Sequence, residues 1–282
     1  MNHHLPCLLT QKTGKRWGTD SYVRAAVNQP ANGALIFVHG FGGEAMGTWT
    51  DFPGLLGRMP KAAPYDVFYY GYDMRRQAGI SAVGFRNFLA AIAEAPAFDV
   101  LNPSLPTPLG QRPRTFRYDH IVIAAHSLGA VVTRLALLQS KDDAGKPLPW
   151  LSKVRLVLFA PAHSGAKVID FARGLLSIFS IGKLIETLVR ARFQSLDDLD
   201  ADKPMIRRLE ADTLALLNST DAAAAQCHRA WVLHAGLEDI VNVAPFAQDL
   251  SCEELPDADH MQVCKPSPRR LEPLEFLAGV LP

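Results

Sequence analysis

Short unbroken apolar runs alternate along the chain with longer stretches in which apolar residues return every three or four positions. The short runs predict strands over Tyr22–Val27, Ala34–His39, Asp66–Tyr70, Ile121–Ala125, Val154–Ala160 and Trp231–His234. Several are rich in Val, Ile, Phe and Tyr and do not alternate, as expected of strands buried on both faces of a parallel sheet. The longer stretches predict helices over Ala78–Ala95, Leu128–Ser140 and Leu271–Val280, and a long helical tract from Lys167 to Asn218. Strands and helices in this alternation imply an α/β fold with a mostly parallel central sheet flanked by helices.

Two regions break the rhythm. Pro96 to Arg117 carries prolines at 96, 103, 106, 108 and 113 and almost no periodicity, so a long surface loop is expected. Ser164 to His228 is an insertion between two strands where one helix would suffice. Its apolar residues at 168, 171, 175, 178, 181, 185 and 188 form a helical stripe, and around Leu175–Ile181 it is apolar nearly all round. That suits either a helix packed into the core or a cap over a site, with a face that touches a membrane surface transiently. The expected organisation is one domain over residues 1–282 with a helical cap insertion at 164–228.

Composition narrows the function classes. Lys and Arg number 29 against 28 Asp and Glu, a net charge of +1, and no basic block supplies the electrostatic footprint of a nucleic-acid binder. Cys7, Cys227, Cys252 and Cys264 form no CxxC pair, so neither a disulfide framework nor a structural zinc site is expected. No metal or other cofactor is implied. The apolar run Gly174–Gly182 is about half of the ~18 residues a membrane span needs. The start, MNHHLPCLLT, lacks the charged n-region and apolar h-region of a secretory signal, which points to a cytoplasmic protein.

The chemistry concentrates in IVIAAHSLGAVVTRLALL, where a buried strand meets a helix through Ala125-His126-Ser127-Leu128-Gly129. A serine on so sharp a strand-to-helix turn holds strained φ/ψ and stands clear of the backbone. The residues two before and two after it must be small, and Ala125 and Gly129 are. The helix then aims its N-terminal N–H groups at the site, favouring negative charge. A second strand runs into His39-Gly40-Phe41-Gly42-Gly43, a turn able to present the Phe41 N–H. With the Leu128 N–H it makes a candidate pair of oxyanion donors.

A serine hydroxyl needs a base to take its proton. His126 lies inside the turn and points away from the nucleophile, and His39 is expected to stabilise its own loop. His260, in the polar loop DADHMQVCKP near the end of the chain, falls where the last member of a Ser…acid…His order belongs. The acid is expected after the preceding strand, in WVLHAGLEDIVNVAPF. Asp239 is the first choice to orient the imidazole, and Glu238 is its adjacent rival. Asp257 and Asp259 share the loop with His260 and are less favoured.

In this succession HGFGG, AHSLG, GLEDIVNV and ADHMQVCKP resemble the α/β-hydrolase family, from about Leu35 to the end. VLFAPAHSGA and the ending DH…CKP are similar to a lipase-like branch that includes the GPI-inositol-deacylase-like proteins. Ala125 departs from the family's usual first glycine. The resemblance implies an esterase or lipase acting through Ser127, Asp239 and His260 on a small-molecule or lipid ester. The same acyl-enzyme would serve an acyltransferase, thioesterase or amidase, and a catalytically silent binding module is the reading from another class.

Overall fold

The computed structural model describes residues 7–10, 16–28, 30–94, 112–113, 115–166, 204–219, 221–244, 246 and 248–282. The apolar stripe at 168–188, and most of the stretch 96–117 read as a loop, lie outside them. The strands are β1 (Cys7–Thr10), β2 (Arg16–Arg24), β3 (Gly33–Val38), β4 (Tyr65–Tyr70), β5 (His120–His126), β6 (Val154–Phe159), β7 (Ala230–Leu237) and β8 (Ser251–Asp259). They form one sheet in the order β1-β2-β4-β3-β5-β6-β7-β8. The pairs β1/β2 and β2/β4 are antiparallel, and every pair from β4/β3 through β7/β8 is parallel.

Around the sheet lie α1 (Phe52–Leu56), α2 (Ala78–Glu94), α3 (Leu128–Leu138), α4 (Pro204–Leu217), α5 (Ala222–His228) and α6 (Glu272–Val280). Strands β3 and β4 are buried along their whole length, which is why their sequences carry no alternation. Phe37 of β3 meets Trp49, Phe52 and Tyr69 at ring-centroid distances of 4.7, 5.2 and 5.3 Å, tying the segment after the glycine turn to the sheet. No helix among the described residues is long and apolar enough to cross a membrane.

The parallel arrangement sets the site's position. Val38 pairs with Ala125, and the chain leaves the sheet from β3, β5, β7 and β8 at the same C-terminal edge. The glycine turn, the serine, the loop after β7 and the loop after β8 therefore converge. The opposite edge is closed by polar contacts instead. There the buried Asp66 accepts from the Ala26 N–H (2.8 Å), from the Arg112 guanidinium and from the Tyr118 hydroxyl.

Candidate active site

Ser127 has φ 51° and ψ −120°, a left-handed conformation that costs a non-glycine residue on the order of 1–3 kcal/mol. Neighbouring backbone holds it there. Its N–H donates to the Phe159 carbonyl (3.1 Å), and its own carbonyl accepts from Ala130 (3.0 Å) and Ala162 (3.3 Å). A Cβ on Gly129 would lie 2.5 Å from the carbonyl oxygens of both Val38 and His39, so only glycine lets α3 press against the start of the glycine turn. The crowding that makes this position small comes from that turn. A Cβ on Gly40 would likewise sit 2.9 Å from Ser127 Cβ, which puts the turn directly against the nucleophile candidate.

His260 Nε2 lies 3.0 Å from Ser127 Oγ, and its Nδ1 lies 2.9 and 3.1 Å from the two carboxylate oxygens of Glu238. A carboxylate can only accept, so Nδ1 carries the proton and the bare Nε2 accepts from the serine hydroxyl. Glu238 Oε1 also accepts from the backbone N–H groups of Ile240 (2.9 Å) and Val241 (3.0 Å), which pins the carboxylate. Burial acts to raise the Glu238 pKa. The hydrogen bond from His260, its charge and the two amides outweigh burial, and the carboxyl is held below the ordinary glutamate value.

The structure therefore brings Ser127 and His260 together and sets Glu238, rather than Asp239, on the imidazole. Asp239 is exposed and makes no hydrogen bond to His260. Strand register gives the reason. Between the pairs Ala235↔Leu255 and Leu237↔Asp259, β7 advances two residues while β8 advances four. The stretch that takes up the shift contains Pro256, which has no N–H to give a ladder and packs directly against Gly236. After this bulge the residue following Leu237 faces the residue following Asp259, so Glu238 stands opposite His260. Asp239, one residue on and beyond the strand, is exposed.

Phe41 is buried in the turn directly after Gly40, and Leu128 opens α3 directly after Ser127, where a helix's first N–H groups have no intrahelical acceptor. His39 braces the turn. Its Nδ1–H donates to the Gly40 carbonyl (2.8 Å), its Nε2 accepts from the Tyr72 N–H (3.4 Å), and its ring stacks on Tyr72 at 4.4 Å. Burial lowers its pKa to about 4, against the opposing Gly40 bond, so the ring is neutral.

A second polar cluster, unsuspected from the sequence, underlies the site. Arg134 of α3 is fully buried and donates to both Asp249 oxygens (2.7 and 2.9 Å), to the His228 carbonyl (2.7 Å) and to His163 Nδ1 (3.2 Å). It also lies over the Phe246 ring, 4.4 Å from its centroid. The helix that follows Ser127 is thereby joined to the loops after β6 and β7. Among the described residues, no group of three or more His, Cys, Asp or Glu is arranged to hold a metal ion.

No protein-family model matches the sequence, and no curated protein matches it. Solved structures do. The mature lipase BlEst2 of Bacillus licheniformis is similar over 91% of this chain and 97% of its own, at 13% identity and a TM-score of 0.55. The siderophore hydrolase EstB of Aspergillus fumigatus is similar over 99% and 96%, at 12% identity and a TM-score of 0.51. At such identities the shared property is the fold, and the chain has the α/β-hydrolase fold.

Proposed function

We propose that the protein is a serine hydrolase that cleaves carboxylic esters through an acyl-enzyme on Ser127. The reading rests on one observation: Ser127 Oγ, the His260 imidazole and the Glu238 carboxylate lie in a single hydrogen-bonded line, at 3.0 and 2.9 Å, on a serine held at positive φ. That is the constellation of nucleophile, base and orienting acid, recognised by geometry rather than by sequence position. Glu238 takes the part that residue types alone gave to Asp239.

Ser127 Oγ attacks the ester carbonyl carbon while its proton passes to His260 Nε2. Glu238 keeps the Nδ1 proton in place and balances the imidazolium. The Phe41 and Leu128 N–H groups receive the oxyanion, and each such donor is worth about 10²–10³ in rate. His260 returns its proton to the departing alkoxide, which leaves as the alcohol. A water then gives a proton to the same nitrogen, attacks the acyl carbon and releases the acid, restoring Ser127.

In this reading part of the 164–228 insertion serves as the cap over the site, and the protein acts in the cytoplasm. A near-neutral chain suits an uncharged or amphiphilic ester. The likeness of VLFAPAHSGA and DH…CKP to the GPI-inositol-deacylase-like branch makes lipid esters a class to test beside simple ones. A fluorophosphonate probe is expected to label the wild type and to leave Ser127→Ala unlabelled. Equal labelling of the two would end the assignment. A panel of p-nitrophenyl esters from short to long chain then separates esterase from lipase behaviour.

A further inference from the structure

His126, the last residue of β5, precedes the nucleophile and is buried, yet its side-chain hydrogen bond goes to neither Ser127 Oγ nor Glu238. Its Nε2 lies 2.9 Å from the backbone carbonyl of His260. A carbonyl can only accept, so Nε2 carries the proton and Nδ1 is bare. Nδ1 is buried without a hydrogen-bond partner, on the side where a Cβ added to Gly40 would come within 2.8 Å of it. The two imidazole rings stand 4.9 Å apart, tilted by 48°. The His126 ring thus fills the space between the glycine turn and the base's backbone.

An apolar side chain of similar size would fill that space without leaving a buried nitrogen unpaired, which carries a cost. The imidazole's gain is the one bond it makes, and that bond goes to the base. Its ring nitrogens are held by Ser127 and Glu238, and a bond to its carbonyl adds a hold on the backbone from which the ring projects. The residue sits just beyond an edge strand, in a turn closed by the Asp259 carboxylate on the N–H groups of Met261 (2.9 Å) and Gln262 (2.8 Å). Those bonds shape the turn but do not tie it to the strand that carries the nucleophile. The His126 bond does.

We propose that His126 is a positioning residue that clamps the His260 backbone to the end of β5, setting the base-to-nucleophile distance and spacing it from the oxyanion turn. This rests on the reading of His260 as the base. Burial, and then the neighbouring His260, hold the His126 pKa well below the ordinary value, so its proton stays on Nε2 alone and adds no charge beside the imidazolium.

The test compares His126→Leu, which fills the space without a donor, with His126→Gln, whose amide N–H reaches the place of Nε2. His260→Ala is carried alongside. On p-nitrophenyl butyrate the leucine variant is expected to lose about 10–100-fold in kcat with KM changed by less than about threefold, the scale of a misplaced catalytic group. Glutamine is expected to restore kcat to within about threefold of the wild type. Equal kcat in the two variants, whether both impaired or both unimpaired, would overturn the proposal. If His260→Ala is itself fully active, the hydrolase reading falls first; if it is dead and the two His126 variants match, only the clamp falls. Should the leucine variant not fold, ¹⁵N-detected histidine NMR of the wild type decides. A His126 ring protonated on Nε2 supports the clamp, and one protonated on Nδ1 refutes it.

Discussion

Glutamine at 238 keeps the size and shape of Glu238 but turns one of its two acceptors into a donor, and the surroundings dictate which. Oε1 receives the N–H groups of Ile240 and Val241, so the glutamine oxygen must take that place. The NH₂ group is then left 2.9 Å from His260 Nδ1, at the Oε2 position, and the acceptor kept for the Nδ1 proton is the oxygen at Oε1, 3.1 Å away and already shared with two amides. Two donors crowd the shorter contact and the remaining acceptor is weaker than a carboxylate, which shifts the ring towards the tautomer protonated on Nε2. The imidazole then donates towards Ser127 instead of accepting from it, and the base is lost without any displacement of the backbone. A wrong tautomer of this kind lowers kcat by about 10⁴-fold in the Ser-His-Asp case. At ~1.36 kcal/mol per tenfold that is about 5 kcal/mol of lost transition-state stabilisation. Asp239→Asn, on an exposed side chain without a bond to His260, should change the rate by less than about twofold, like most surface substitutions away from a site. The assay is kcat/KM on p-nitrophenyl butyrate beside the second-order rate of fluorophosphonate inactivation. Equal losses in Glu238→Gln and Asp239→Asn, or a Glu238→Gln loss below tenfold, would refute the reasoning.

The same carboxylate carries a stability signature with a definite sign. Its folded pKa lies below the unfolded value of 4.5, so between the two the unfolded chain binds more protons. Stability therefore rises with pH across that window. The Glu238 contribution is fully present above pH 4.5 and is lost as pH falls through the depressed folded value. The gap in Tm between the wild type and Glu238→Gln should be widest above pH 4.5 and narrow below it, by differential scanning calorimetry. A gap that widens on acidification would reverse the sign.

Gly129→Ala forces a methyl into two backbone carbonyls at 2.5 Å. It should cost about 1–3 kcal/mol in urea unfolding and slow fluorophosphonate labelling by on the order of 10–100-fold as the glycine turn shifts. Gly279→Ala in α6, where an added Cβ meets nothing within 4 Å, should stabilise by about 0.5–1 kcal/mol and leave labelling unchanged. Equal effects of the two alanines would contradict the packing account. Arg134→Met strands the Asp249 carboxylate in the interior and should cost about 3–5 kcal/mol by the same unfolding assay. Adding Asp249→Asn, which keeps an acceptor for the Ala230 N–H, should recover a substantial part of that loss, and no recovery would speak against a charge-burial cost.

How much of this the sequence carried follows from what each residue's position depends on. Strands β3 to β7 were legible because burial on both faces leaves an unbroken apolar run, and the predicted runs match them to within a few residues. The turn at Ser127 was legible because a strained serine between strand and helix demands small neighbours, and that demand is local. Strand β8 was not: its sequence SCEELPDAD is largely exposed at the sheet's edge, where charge deters unwanted pairing and erases the apolar signal. That omission propagated into the choice of acid. Whether residue 238 or 239 faces His260 depends on the register between β7 and β8, hence on the two residues that the bulge between Leu255 and Asp259 adds. Without those residues Asp259 would pair with position 239 and His260 with position 240, and Glu238 would stand opposite Ala258. Arg134 was opaque for a related reason. Its partner Asp249 is 115 residues away, and in the sequence of α3 it reads as a solvated charge on an apolar helix. Local sequence thus specifies the strained turn at Ser127, whereas the Glu238–His260 pair and the buried ion pair belong to pairings of distant segments. Because that bulge is what aligns them, a deletion that straightens β8 should break the Glu238–His260 pair while leaving the Ser127 turn in place.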